Sequence, residues 1–150
     1  MEDFGGKTVV VTGGGRGVGR GVGLAFAAAG ANVMLGARTI AYGEEVKADI
    51  VAAGGRAECF AADIGRHDDC RALVEAAVGS FGGVDIIIHA AADIPHGGLG
   101  DVDDDRLEAG FASIAKAAWW LLDAARPHLA TARDGGRFIA IGSINGTFNV

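Results

Sequence analysis

The stretch VVVTGGGRGVG, from Val9 to Gly19, sets three β-branched residues and Thr12 ahead of five glycines. Glycine at that density, between a strand-like run and a helix-like one, lets main chain come close to a bulky anion. The first turn of the following helix offers N–H groups with no intrahelical partner, and phosphate oxygens suit them. The strict G-x-G-x-x-G spacing is absent. The pattern is Thr12-Gly13-x-x-x-Gly17-x-Gly19, with Gly15, Arg16 and Val18 in the gaps. Downstream, Gly36-Ala37-Arg38-Thr39 closes a second apolar run on a guanidinium, a planar fork that can grip a phosphate bidentately. No acidic residue stands between Asp3 and Glu44. A dinucleotide site that takes NAD offers a carboxylate to the ribose 2′-OH about 20 residues on, whereas a nearby arginine serves the 2′-phosphate of NADP. These residues predict NADP, with NAD the less favoured cofactor.

Other reactive side chains carry weaker signals. Ser143 lies in Ile141-Gly142-Ser143-Ile144-Asn145-Gly146, which is not a G-x-S-x-G elbow, and no ordered Ser/His/Asp set accompanies it, so a nucleophilic role is not expected. His89 ends a strand-like run, where a lone histidine is more often structural than catalytic, and could supply one polar contact. His96 falls in a glycine-rich loop. Cys59 and Cys70 sit in no metal or redox spacing and at apolar positions of their elements, which predicts buried free thiols.

The elements that must position these groups alternate. Strands are predicted at Lys7–Thr12, Ala31–Ala37, Arg56–Ala61, Val84–Ile88 and Arg137–Ile141, the first a continuous β-branched run of the kind buried on both faces. Between them lie helical stripes: Val22, Ala25, Phe26 and Ala29; Val46, Ile50 and Ala53; then Cys70, Leu73, Val74, Ala77, Val78 and Phe81. A longer stripe follows through Leu107, Phe111, Ile114, Ala118, Leu121, Ala125 and Leu129. Glycines close most of these helices. Five strands alternating with four helices imply parallel units with right-handed crossovers, an α/β doubly wound sheet. No linker or composition break divides the chain, so residues 1–150 are expected to form a single domain. The run Asp101–Asp105 precedes a helix and is expected to cap it.

Composition narrows the partners. Half of the 150 residues are hydrophobic, 21% are charged and the net charge is −6, which offers no nucleic-acid footprint and no basic membrane-binding face. The apolar runs are of strand length and the N-terminus lacks a basic leader, so a cytoplasmic location is expected.

The glycine loop and the alternation together resemble the short-chain dehydrogenase/reductase family across the whole chain. The resemblance implies a Rossmann-type sheet of strand order 3-2-1-4-5, and hydride transfer between nicotinamide and a small-molecule carbonyl or alcohol. It assigns Thr12, Gly13, Gly15, Arg16, Gly17, Val18 and Gly19 to the cofactor loop and Asp63-Ile64 to the adenine ring. His89, Ala90 and Ala91 fall beside the cofactor, within His89-Ala90-Ala91-Ala92, where the family has Asn-Asn-Ala-Gly. Ser143 takes the place of the serine that orients the substrate oxygen. Two departures stand out. Ile114 occupies the place of the family's helix asparagine, on the apolar stripe and expected in the core. The family's Tyr-x-x-x-Lys is absent, because Tyr42 is the only tyrosine and lies past the second strand.

The sequence is therefore expected to stop between the orienting serine and its acid/base. One implication is the cofactor half of an NADP-dependent oxidoreductase; the other is a non-catalytic nucleotide-binding or oligomerisation module. A Rossmann-type methyltransferase would want an acid at the end of strand two, which is missing. Trp119 and Trp120 need cover, because Trp120 lies off the stripe. The family resemblance offers a second copy of the chain, giving a homo-oligomer through the long helix, and a further helix of the same chain serves equally.

Overall fold

The computed structural model describes residues 4–94 and 100–143. Its centre is β1 (Thr8–Thr12), every residue of which is buried. A β-branched strand with helices on both sides can bury alternate side chains in two separate layers, and β1 does so. Val10 packs with Met34 and Ile87 against one helical layer, while Val9 and Val11 pack with Val33, Leu35, Ile86 and Ile88 against the other.

Helix α1 (Gly17–Ala28) leads to β2 (Asn32–Ala37), α2 (Ile40–Ala52) to β3 (Arg56–Ala61), and α3 (His67–Phe81) to β4 (Ile86–His89). After β4 come α4 (Asp104–Phe111), a π-helical turn at Ala112–Lys116, α5 (Ala117–Thr131) and β5 (Arg137–Ala140). All four strand pairings are parallel and the order is β3-β2-β1-β4-β5, as expected. Register sets Thr12 opposite Gly36 on one side and His89 on the other, so the three strand ends that carry the site residues are level.

Three helices differ from their predicted stripes, α2 only in that Ala53 is exposed at its C-cap while Val46 and Ile50 are buried. In α1 the buried face is Gly19, Gly23 and Ala27, and Ala25 is exposed. Spacing of four places these small residues in one row, and that row lets the helix lie close to the sheet. A Cβ on Gly23 would meet the Leu35 side chain at 2.9 Å. In the long helix, Leu121 and Ala125 are fully buried as predicted, but Leu107, Phe111 and Ile114 are exposed. The π-turn explains the change. It inserts a residue into the helical ladder, rotating the upstream turns, so that Gly110, Ser113 and Ala117 face inward instead.

Asp103 caps α4, its carboxylate accepting the Arg106 backbone N–H at 2.8 Å, with Asp104 and Asp105 in the first turn. Trp120 is half-buried against α3 and lies over His67, ring centroids 5.4 Å apart, so it finds cover within the chain; Trp119 is 69% exposed. Cys70 is buried as predicted, whereas Cys59, on the sheet edge, is only half-buried. Among the described residues, no helix is long and apolar enough to cross a membrane.

Candidate functional site

At the carboxyl ends of β1, β2 and β4 lies a cavity of about 650 Å³, within the range that small-molecule and cofactor sites occupy. It opens where the chain leaves β1 for one side of the sheet and β4 for the other, the switch point at which open α/β sheets bind ligands.

Its floor is the glycine loop. Gly13 has φ +68°, a left-handed conformation that costs glycine little, and a Cβ there would sit 3.1 Å from the Ala91 backbone. A Cβ on Gly19 would drive into the Gly13 carbonyl, so the first turn of α1 can approach the loop only without a side chain. The Gly14 N–H donates to the Gly36 carbonyl at 3.1 Å, fixing the loop to the end of β2. α1 has no acidic residue in its first turn and no side-chain cap. Main-chain donors thus meet a side-chain-free surface at the positive end of a helix, the arrangement that fits a pyrophosphate.

The walls come from three strand ends. Gly13, Gly15, Arg16, Gly17, Val18 and Gly19 line the cavity, as do Arg38, Asp63, Ile64, Ala90 and Ala91. Asp63 is folded back on its own turn, Oδ1 accepting the Gly65 N–H at 3.0 Å, and its backbone N–H donates to Asp69 at 2.9 Å. Arg16 stacks over the Tyr42 ring, 3.5 Å from its centroid, a cation–π contact. Arg38 reaches across the opening to Asp93, 3.2 Å between Nη1 and Oδ2.

Thr12 and His89 stand behind the wall. Thr12 is 0% and His89 4% exposed, and neither lines the cavity. Their atoms form a closed set. Thr12 Oγ1 accepts the backbone N–H groups of Ala90 and Ala91 at 3.1 and 3.2 Å, so its own hydrogen is free to point at His89 Nδ1, 2.9 Å away. The Ile114 carbonyl, 3.2 Å from Nε2, can only accept. Both contacts are satisfied by the neutral tautomer protonated on Nε2. Burial, the main influence, holds the imidazole below its ordinary value of 6.5 against the smaller opposing pull of the carbonyls. The departure from asparagine at position 89 therefore supplies a tie between β4 and the π-turn. Ile114 takes part through its backbone, while its side chain is 45% exposed and not in the core.

Sequence reasoning missed Asp93, Tyr42 and Ser113, all of which line the cavity. Ser113 is buried; its hydroxyl donates to the Gly110 carbonyl at 3.2 Å and accepts the Asp93 N–H at 2.9 Å. The signal for it was the π-turn, which no side-chain pattern announces. Ser143 is exposed, two residues beyond Ile141, which does line the cavity. Ile144, Asn145, Gly146 and His96 lie outside the described residues. Among the described residues no group of three or more His, Cys, Asp or Glu is arranged to hold a metal ion.

Residues 7–150 match the family model described as short chain dehydrogenase, and the chain belongs to that family of oxidoreductases. It is 37% identical over 140 residues to an uncharacterized oxidoreductase of Mycobacterium tuberculosis, covering 93% of this chain and 53% of the relative. A 2,5-dichloro-2,5-cyclohexadiene-1,4-diol dehydrogenase of Sphingobium indicum is 42% identical over 99 residues, 66% of this chain and 38% of that one. A crystal structure of a short chain dehydrogenase from Burkholderia cenocepacia in complex with NADP superposes with a TM-score of 0.92 at 31% identity, over 99% of this chain and 60% of that one. The chain spans about half the length of the Mycobacterium relative. Relatives with NADP bound support a nicotinamide nucleotide as ligand of this fold.

Proposed function

We propose that the cavity holds NADP, and that this chain is the nucleotide-binding domain of a cytoplasmic oxidoreductase interconverting a small-molecule carbonyl and its alcohol. The carrying observation is the end of β2: Arg38 stands at the mouth of a glycine-floored cavity, and β2 brings no carboxylate there. When bound, the nicotinamide supplies hydride transfer to or from the substrate carbon.

The residues of this chain hold and orient. Main-chain N–H groups between Gly13 and Gly19 face the pyrophosphate, and Arg38 and Arg16 neutralise the 2′-phosphate. Asp63 and Ile64 flank the adenine, and Ala90 and Ala91 let the backbone run beside the ribose. Ser143 donates a hydrogen bond to the substrate oxygen. Tyr42, stacked beneath Arg16 on α2, is assigned to the wall of the phosphate subsite and not to acid/base work. The exposed Trp119 and neighbouring apolar residues of the long helix are assigned to pairing with a second copy.

A second reading, a nucleotide-binding module without chemistry, rests on the same cavity, in which Tyr42 is stacked against Arg16. Titration of the protein with NADPH and NADH, followed by nucleotide fluorescence, tests the cavity. The expected result is saturable binding with NADPH the tighter; failure of a folded sample to bind either nucleotide overturns both readings. Turnover of a panel of aldehydes and ketones, assayed on the complete gene product that contains this chain, then separates them.

A further inference from the structure

β1 lies between β2 and β4, so the ends of those two strands stand about 10 Å apart with the glycine loop rising between them. Arg38 follows β2 and Asp93 belongs to the segment after β4. Their contact at 3.2 Å therefore bridges two strand ends over the exit of β1, across the mouth of the cavity that both residues line. The two ends of this strap differ in rigidity. Asp93 is anchored through its backbone N–H to the buried hydroxyl of Ser113, itself tied to the Gly110 carbonyl in the long helix. Arg38 has a side chain 70% exposed and no other hydrogen-bond or ion-pair partner in the described structure. Its long stem can swing, while the backbone that carries the Asp93 carboxylate is held by Ser113.

We infer that Asp93 is a specificity-determining residue: its carboxylate competes with the 2′-phosphate of the nucleotide for Arg38, and so moderates the preference for NADP over NAD. This rests on the reading of the cavity given above. The competition is uneven, because a phosphate monoester carries close to two negative charges at neutral pH and three acceptor oxygens against the single charge of a carboxylate. The phosphate therefore wins Arg38, but with lower apparent affinity than an uncommitted guanidinium would give. Asp93 also remains near the bound phosphate as a like charge. A nucleotide without the 2′-phosphate loses nothing to this competition, since it leaves the Arg38–Asp93 contact in place.

The test compares the full chain with its Asp93→Asn variant, isosteric and still able to present the backbone N–H to Ser113. Each is titrated with NADPH, NADH, adenosine 2′,5′-bisphosphate and 5′-AMP. The variant is expected to bind the two 2′-phosphorylated ligands about three- to tenfold more tightly, the range for one exposed ion pair released and one like charge removed, with NADH and 5′-AMP within about twofold. The gain should shrink as salt is raised. In an Arg38→Gln background it should fall to less than half its size, because the competition then has no object. An unchanged preference in Asp93→Asn, an equal gain for NADH, or a full gain persisting without Arg38 overturns the inference while leaving the cavity reading intact. Failure of wild type and variant to bind any of the four ligands overturns both.

Discussion

Thr12 Oγ1 and His89 Nδ1 lie 2.9 Å apart at the level ends of β1 and β4, and the same hydroxyl accepts two backbone N–H groups from the next turn. A single side chain therefore joins the loop that floors the cavity to the segment that walls it. Thr12→Val, nearly equal in shape, leaves two part-buried N–H donors and one buried ring nitrogen without the partner they have now. The expected cost is about 1–3 kcal/mol in urea-induced unfolding, far above the result for a well-tolerated apolar swap.

The same network makes stability depend on pH in a defined direction. His89 is held below its ordinary 6.5 when folded, so the unfolded chain takes up that proton first. Its contribution is complete above pH 6.5 and is lost as pH falls through the folded value. Wild type should therefore lose stability more steeply than His89→Asn between pH 6.5 and 5, by at most about 1.4 kcal/mol per pH unit. Parallel curves for the two proteins would remove His89 from that role.

Gly19 and Gly21, two positions apart in α1, should respond oppositely to the same methyl group. Gly19→Ala presses a Cβ into the Gly13 carbonyl and is expected to weaken nucleotide binding at least tenfold, read by titration. At Gly21, on the outer face of α1, nothing lies within 4 Å of the added Cβ. Gly21→Ala should stabilise the protein by about 0.5–1 kcal/mol and leave binding unchanged.

Charge at position 38 sets cofactor choice under the proposed function. Arg38→Glu replaces a donor for the 2′-phosphate by an acceptor for the ribose hydroxyl, and preference is expected to move toward NADH by at least tenfold in the ratio of dissociation constants. An unchanged ratio would take Arg38 out of the site.

The thiols should be sluggish. Burial, the leading cause in both, pushes Cys59 up to about 11 and Cys70 to about 12, with neighbouring carboxylates adding to it. At pH 8 the thiolate fraction of each is then roughly two orders of magnitude or more below that of an ordinary cysteine. Iodoacetamide should label the native protein correspondingly more slowly than the urea-unfolded chain, as followed by mass spectrometry.

What could be read from residues alone followed from how local the governing physics was. Apolar runs next to glycines located all five strands, and their alternation with helical stripes indicated a parallel, doubly wound sheet, while the strand order followed from the family resemblance. The glycine loop was legible because its constraint, close main-chain approach, acts within a few residues. Asp93 was not, since its importance comes from Arg38, 55 positions away in sequence. α1 misled in a different way: glycine was read as punctuation, yet Gly19 and Gly23 form the contact face of a helix. The upstream half of the long stripe failed for lack of any side-chain mark of the π-turn. Leu121→Ala should therefore cost about 2–5 kcal/mol and Ile114→Ala no more than about 0.5, though a regular stripe would rank them alike.

That turn also makes chain length informative. Removing one residue between Ala112 and Lys116 would restore plain α-helical winding and swing everything before it by about 100° around the axis. Phe111 and Leu107 would move toward the sheet, and Ser113 would leave Asp93. Two genes encoding the same side chains, but differing by that single codon, would yield the same architecture after Ala117 and a differently surfaced cavity before it.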